Sequence, residues 1–189
     1  RDFCLSRGLG DVYKRQDKSI ESMPLAAPTE VRNNGSGSLY AVVSQSYTPG
    51  KGEETEAASG IRIDVRYTNM DGAAIDPASI RVSTDFYAIV TVSNKSGYER
   101  YADLALTHIF PAGWEITSER DLSSLTYQDI RDDRVLSYFD LSRGESKEIP
   151  VKLTATYKGR YYLPSVYCEA MYDNAVRALK KGQWVEVVD

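Results

Sequence analysis

Ile61, Ile63, Val65 and Tyr67 alternate with Arg62, Asp64, Arg66 and Thr68 along one segment of the chain. Successive side chains of a strand point to opposite faces, so this alternation predicts one buried face and one wet face. The same period of two returns at Phe86, Ala88, Val90 and Val92, and again at Leu104, Leu106 and Phe110. It continues at Val135, Phe139 and Leu141, and at Ile149, Val151, Leu153, Ala155 and Tyr157. No long stretch keeps a period of 3.6, and Ser123 to Arg131 is the one place where a single helical turn fits.

Turn chemistry falls between these runs. Asp71-Gly72, Asn94-Lys95-Ser96-Gly97, Pro111-Ala112-Gly113, Arg143-Gly144 and Lys158-Gly159 supply residues that tolerate positive φ or start tight turns. Many short strands with regularly spaced turns predict an all-β fold, an antiparallel β-sandwich. Two stretches break the pattern. Asp17 to Glu30 has two prolines and no period, which suggests a linker or the remnant of a preceding domain, and Thr48 to Gly60 reads as a solvated loop.

The first residues change how composition is read. The chain opens at Arg1, and Asp11-Val12-Tyr13-Lys14-Arg15-Gln16 is the literal translation of GAT GTG TAT AAG AGA CAG, which resembles the transposase end used in preparing sequencing libraries. Residues 1–16 are therefore expected to be adapter-derived, 17–38 a linker or the remnant of a preceding domain, and 39–189 the sandwich domain. Setting the first sixteen aside removes four basic residues (Arg1, Arg7, Lys14, Arg15) and two acidic ones (Asp2, Asp11), taking the formal charge from -4 to -6. An acidic balance argues against nucleic acid as a partner. Cys4 is set aside too, so Cys168 is left without a disulfide partner. The 189 residues, 42% hydrophobic, suffice for one globular core, and no apolar run reaches the roughly 20 residues of a membrane-spanning helix.

Few residues invite chemistry. His108 is the only histidine and shares its strand face with Leu104, Leu106 and Phe110. It is expected to be a hydrogen-bonded, half-buried structural residue, because a catalytic base needs an orienting partner. Cys168 alternates with Val166 and Ala170 as a small core residue would, and the flanking Glu169 and Asp173 are the wrong sign for an activated thiolate. The run Asp129-Ile130-Arg131-Asp132-Asp133-Arg134 lacks the spacing and glycine of a calcium loop, and interleaved arginines favour pairing or solvation. One histidine and one usable cysteine cannot close a zinc site, and there is no phosphate-binding glycine motif. No metal, cofactor or catalytic residue is expected. Tyr157, Tyr161, Tyr162, Tyr167 and Tyr172 crowd the end of the chain, where rings are expected to pack while their hydroxyls reach water.

Three stretches together carry a family likeness: Leu104 to Ile116 with its Phe-Pro-Ala-Gly turn, Tyr127 to Arg134, and Gly159 to Pro164 running into Cys168-Glu169-Ala170-Met171-Tyr172-Asp173-Asn174. In that order they resemble the last macroglobulin-like domain of bacterial alpha-2-macroglobulins, and the resemblance extends from about Leu39 to Val188. It implies a macroglobulin-like sandwich of immunoglobulin- or fibronectin-like architecture. It also implies a place in a periplasmic protease trap, possible attachment as a lipoprotein, and partnership with a thioester domain, with further macroglobulin-like domains and with captured proteases. Cys168-Glu169-Ala170-Met171 departs from the Cys-x-Glu-Gln order that forms the thioester, so this chain is expected to hold no thioester of its own. The resemblance assigns Tyr172 the task of covering that bond against water, for which an aromatic face is suited. The competing expectations are that Tyr172 ends a core strand, and that the domain is an adhesin-like or carbohydrate-binding sandwich.

Overall fold

The computed structural model describes residues 32–40, 42, 50–97 and 99–189. The chain divides into two units, Arg1–Ser46 and Tyr47–Asp189. In the first, the described residues form no strand, and Asn33 closes a turn by accepting from the Gly35 amide at 2.9 Å and donating to the Gly37 carbonyl at 2.6 Å. The expectation for residues 1–16, like most of that for 17–38, lies outside the described residues. Among the described residues all thirteen strands belong to the second unit, and there is no helix.

The strands form three sheets. A four-stranded sheet runs in the order β2 (Ile61–Asn69), β4 (Thr84–Asn94), β9 (Ser146–Ala155), β6 (Trp114–Ile116), all antiparallel. A six-stranded sheet runs β1 (Ala57–Ser59), β12 (Asp173–Lys180), β11 (Val166–Ala170), β5 (Tyr101–Ile109), β8 (Arg134–Leu141), β7 (Tyr127–Ile130). The third has β10 (Gly159–Leu163), β13 (Gln183–Val188) and β3 (Ser79–Arg81), with β3 parallel to β13.

The period of two explains how the layers meet. In β4, Phe86, Ala88, Val90 and Val92 all point inward and are fully buried. Val90 and Val92 pack with Leu104, Leu106, Phe139, Leu141 and Cys168 of the six-stranded sheet. Phe86 and Ala88 pack with Leu163, Val185 and Val187 of the three-stranded sheet. One inner face of the four-stranded sheet is thus covered along its length by two sheets in succession.

The covering layer splits where a long hairpin breaks. β10 and β11 are separated by Pro164 and Ser165, and their partners β13 and β12 by Lys181 and Gly182. Proline cannot donate to a ladder. A Cβ on Gly182 would lie 2.5 Å from the Leu163 carbonyl oxygen, so the chains cross there only with a glycine.

Three expectations change. Residues 57–59, within the stretch read as a solvated loop, form β1 on the edge of β12, where Lys180 meets Glu56 at 2.9 Å. Ser123 to Arg131 makes no helical turn: the Asp121 carboxylate accepts from the Ser123 amide at 2.9 Å to form a bend, and residues 127–130 pair with β8. Tyr157 lies past the end of β9 and is exposed: the ladder with β6 ends where the amides of Thr156 and Tyr157 share the Gly113 carbonyl.

Candidate functional site

The β11–β12 hairpin ends in an irregular tip. Pairing is regular from Val166↔Lys180 to Glu169↔Arg177 and then jumps to Ala170↔Asp173, so residues 174–176 have no partner in β11. The chain reverses at Met171 and Tyr172, and the Asp173 carboxylate accepts from the Ala175 amide at 3.0 Å. Tyr172 is 85% exposed, whereas Cys168, four residues earlier on the same hairpin, is completely buried. The tip therefore projects an aromatic ring that the described residues leave largely uncovered.

A second irregularity lies beside the tip. Between the pairs Tyr101↔Leu141 and Leu104↔Phe139, both Ala102 and Asp103 stand opposite Asp140 alone, a β-bulge in β5. Asp103 takes a left-handed conformation with φ 54°, one of two non-glycine residues to do so among those described. Its amide donates to Asp140 Oδ1 at 2.9 Å, and its carbonyl accepts from the Met171 amide at 3.0 Å. The second carboxylate oxygen of Asp140 is paired with Arg100.

Two further contacts stiffen this end of the sandwich. The buried Asn94 side chain donates to the carbonyls of Glu99 (2.8 Å) and Ser142 (3.0 Å) and accepts from the Ser96 amide (2.8 Å), tying two loops together. Gly60, where the chain leaves the six-stranded sheet for the four-stranded one, has φ 73°, and a Cβ there would meet the Tyr101 hydroxyl at 2.8 Å.

The other singled-out residues are dispersed. Cys168 sits between the six- and four-stranded sheets, where burial, helped by Glu169, pushes its thiol up to about 12. His108 is buried to 1% exposure, more deeply than expected, and neither ring nitrogen has a hydrogen-bond partner among the described residues. The reason is its inward position on β5: the ring lies 4.1 Å from that of Phe110, and burial lowers its pKa to about 3. Asp129 pairs with Arg131 at 2.8 Å and Asp133 with Arg134 at 2.6 Å, and the Arg134 contact holds the Asp133 carboxyl below its ordinary value. Among the described residues, no three histidine, cysteine or carboxylate side chains come together to hold a metal, and no helix is long and apolar enough to cross a membrane.

Of the five clustered tyrosines, Tyr161, Tyr162 and Tyr167 are part-buried with hydroxyls bonded to protein groups rather than left to water, while Tyr157 and Tyr172 are exposed. Tyr162 donates to Glu54 at 2.6 Å and Tyr167 to Glu169 at 2.6 Å. Tyr161 rests on Gly113, whose missing Cβ would lie 2.4 Å from that ring. Tyr172 alone of the five is a turn residue at a hairpin tip, and Asp103 and Asp140, which hold the tip, carry no local sequence signal that would have marked them.

Comparison with known proteins gives a consistent likeness. The family model of the bacterial alpha-2-macroglobulin MG10 domain matches residues 60–174. An alpha-2-macroglobulin of Pasteurella multocida is 28% identical over 158 residues, which is 80% of this chain and 8% of that protein. An alpha-2-macroglobulin homolog of Yersinia pestis is 25% identical over 187 residues, 84% of this chain and 9% of its own length. The chain thus spans less than a tenth of either relative. Among solved structures, Salmonella alpha-2-macroglobulin reacted with methylamine superposes with a TM-score of 0.65 at 20% identity, over 72% of this chain and 10% of that one. Native Escherichia coli alpha-2-macroglobulin from domain MG7 to the C-terminus superposes with a TM-score of 0.64 at 18% identity, over 72% and 24%. These structures share the fold.

Proposed function

The chain belongs to the bacterial alpha-2-macroglobulin family, of which it carries the MG10 domain, and on that premise we propose that its hairpin tip shields a thioester within a periplasmic protease trap. One observation carries the reading: Tyr172 is 85% exposed at the end of a hairpin whose root is locked in the core. An exposed tyrosine on a fixed tip is suited to covering a group on another domain. Its ring excludes water from a hydrolysable acyl bond while its hydroxyl stays at the rim. The chain performs no catalysis on this reading, and its partners are the thioester domain and the other macroglobulin-like domains of a longer parent, together with the proteases that parent captures.

The alternative of a sugar-binding sandwich looks to Trp184, which is 46% exposed. Arg160 lies 4.8 Å over that ring and Tyr162 meets it edge-on at 5.5 Å, so one stacking face is already occupied by the chain itself.

The test is Tyr172→Ala in the full-length parent, following methylamine-reactive thioester with time beside thermal stability. Faster thioester loss with a melting curve nearly unchanged is expected. A thioester lifetime equal to that of the wild type would sink the shield, and a large drop in stability would point to a core role for Tyr172.

A further inference from the structure

We propose that Asp140 is a positioning residue for the tip, acting through the backbone of Asp103 to fix where Tyr172 stands. This inference rests on the shield reading for its functional consequence and on geometry for its mechanism. Met171 extends the β5–β11 ladder one residue beyond Ala170↔Leu104, and the acceptor it uses is the Asp103 carbonyl at 3.0 Å. The direction of that carbonyl depends on the left-handed φ of Asp103.

A non-glycine residue keeps such a conformation when its surroundings over-determine it. Here the determinant is the Asp140 carboxylate, which takes the Asp103 amide on Oδ1 and Arg100 on Oδ2. The Arg100–Asp140 pair is solvent-exposed, a setting in which an ion pair adds little to overall stability. Its effect is local: it orients the carboxylate, which sets the bulge, which aims the acceptor for Met171, the neighbour of Tyr172.

Two measurements test this. In the 189-residue chain, Asp140→Ala is expected to speed amide exchange at Met171 about tenfold, as for a locally opening segment that loses one charge-assisted hydrogen bond, while Leu106 in the same strand as Asp103 exchanges as before. Asp140→Asn retains an oxygen acceptor for the Asp103 amide and should restore most of the protection. In the full-length parent, Asp140→Ala should shorten the life of the methylamine-reactive thioester by about threefold or more, but by less than Tyr172→Ala does, since the ring is still present.

Unchanged exchange at Met171 overturns the proposal, as does equal acceleration at Met171 and Leu106, which would mean general loosening. Faster exchange at Met171 with a wild-type thioester lifetime, in a parent where Tyr172→Ala does shorten it, also overturns it. If Tyr172→Ala leaves the thioester unaffected, the shield falls, and the exchange result alone decides whether Asp140 holds the tip.

Discussion

Cys168 and Tyr172 lie on one hairpin, four residues apart, and live in opposite environments. The first is sealed between two sheets with Val90, Leu106 and Phe139 in the same cluster; the second stands 85% exposed at a bulged turn. Polar groups are treated just as differently. The interior leaves both nitrogens of His108 without a partner among the described residues, whereas at the rim Asp140 binds an amide and an arginine and Asp173 caps its own turn. Stability therefore belongs to the interior and presentation to the rim. A hairpin can carry an exposed aromatic because its root is fixed by packing, and its tip can be aimed by hydrogen bonds that cost the core nothing.

The sharpest way to break this division is to excavate the interior. Phe139 is almost wholly buried opposite Leu104, and Phe139→Ala should cost about 3–5 kcal/mol from lost burial and the cavity left behind. Tyr172→Ala should stay within about 0.5 kcal/mol of the wild type, as exposed substitutions do. Urea unfolding of both variants measures the contrast, and comparable losses would erase the distinction between root and tip.

Acid probes the same interior through His108. Its folded pKa, about 3, is below the ordinary 6.5, because burial opposes the charged ring. The neutral-ring contribution is thus fully present above pH 6.5 and is lost as pH falls, since only the unfolded chain takes up the proton. Between pH 7.5 and 5 the loss should be about 2 kcal/mol, from roughly 1.4 kcal/mol per pH unit below 6.5. That window stays above the ordinary values of carboxyls such as Glu148 and Asp133, which their arginine partners hold lower still. His108→Leu should abolish the loss, read by urea unfolding at the two pH values.

A smaller loss than at Phe139 or His108 is expected at Cys168. Cys168→Ala removes one small buried group and should cost about 1 kcal/mol. In the native chain the thiol should resist alkylation at pH 8, because burial holds its pKa near 12 and leaves almost no thiolate. Rapid labelling would show that the root of the hairpin opens, and would weaken the contrast with its tip.

Much of the interior is legible in the order of the residues alone. Alternation places Ile61 to Tyr67, Phe86 to Val92 and Ile149 to Ala155 on buried strand faces, and all three stretches lie in the observed strands. The spacing of Cys168 from Val166 and Ala170 likewise marks it as core, where it lies. The rim is legible only at Tyr172, and there through the likeness of a short motif. Alternation puts His108 on the correct face but carries no measure of depth, and the ring lies deeper than a half-buried residue. Ser123 to Arg131 admits a helical period that the fold does not use, because residues 127–130 find a strand partner in β8.

Which residues face inward is written in the order of residues alone, because a period of two is a property of neighbouring residues along one strand. Which strands pair, the split of the covering layer into two sheets at Pro164 and Gly182, and the edge strand at residues 57–59 emerge only when the chain is folded. The meeting of Asp103 with Asp140 is likewise a product of folding. Strand pairing joins residues far apart in the chain, and a bulge arises only when two paired strands differ by a residue between fixed contacts. No local pattern in either strand records that mismatch, so the device that aims Tyr172 exists only once β5, β8 and β11 lie side by side.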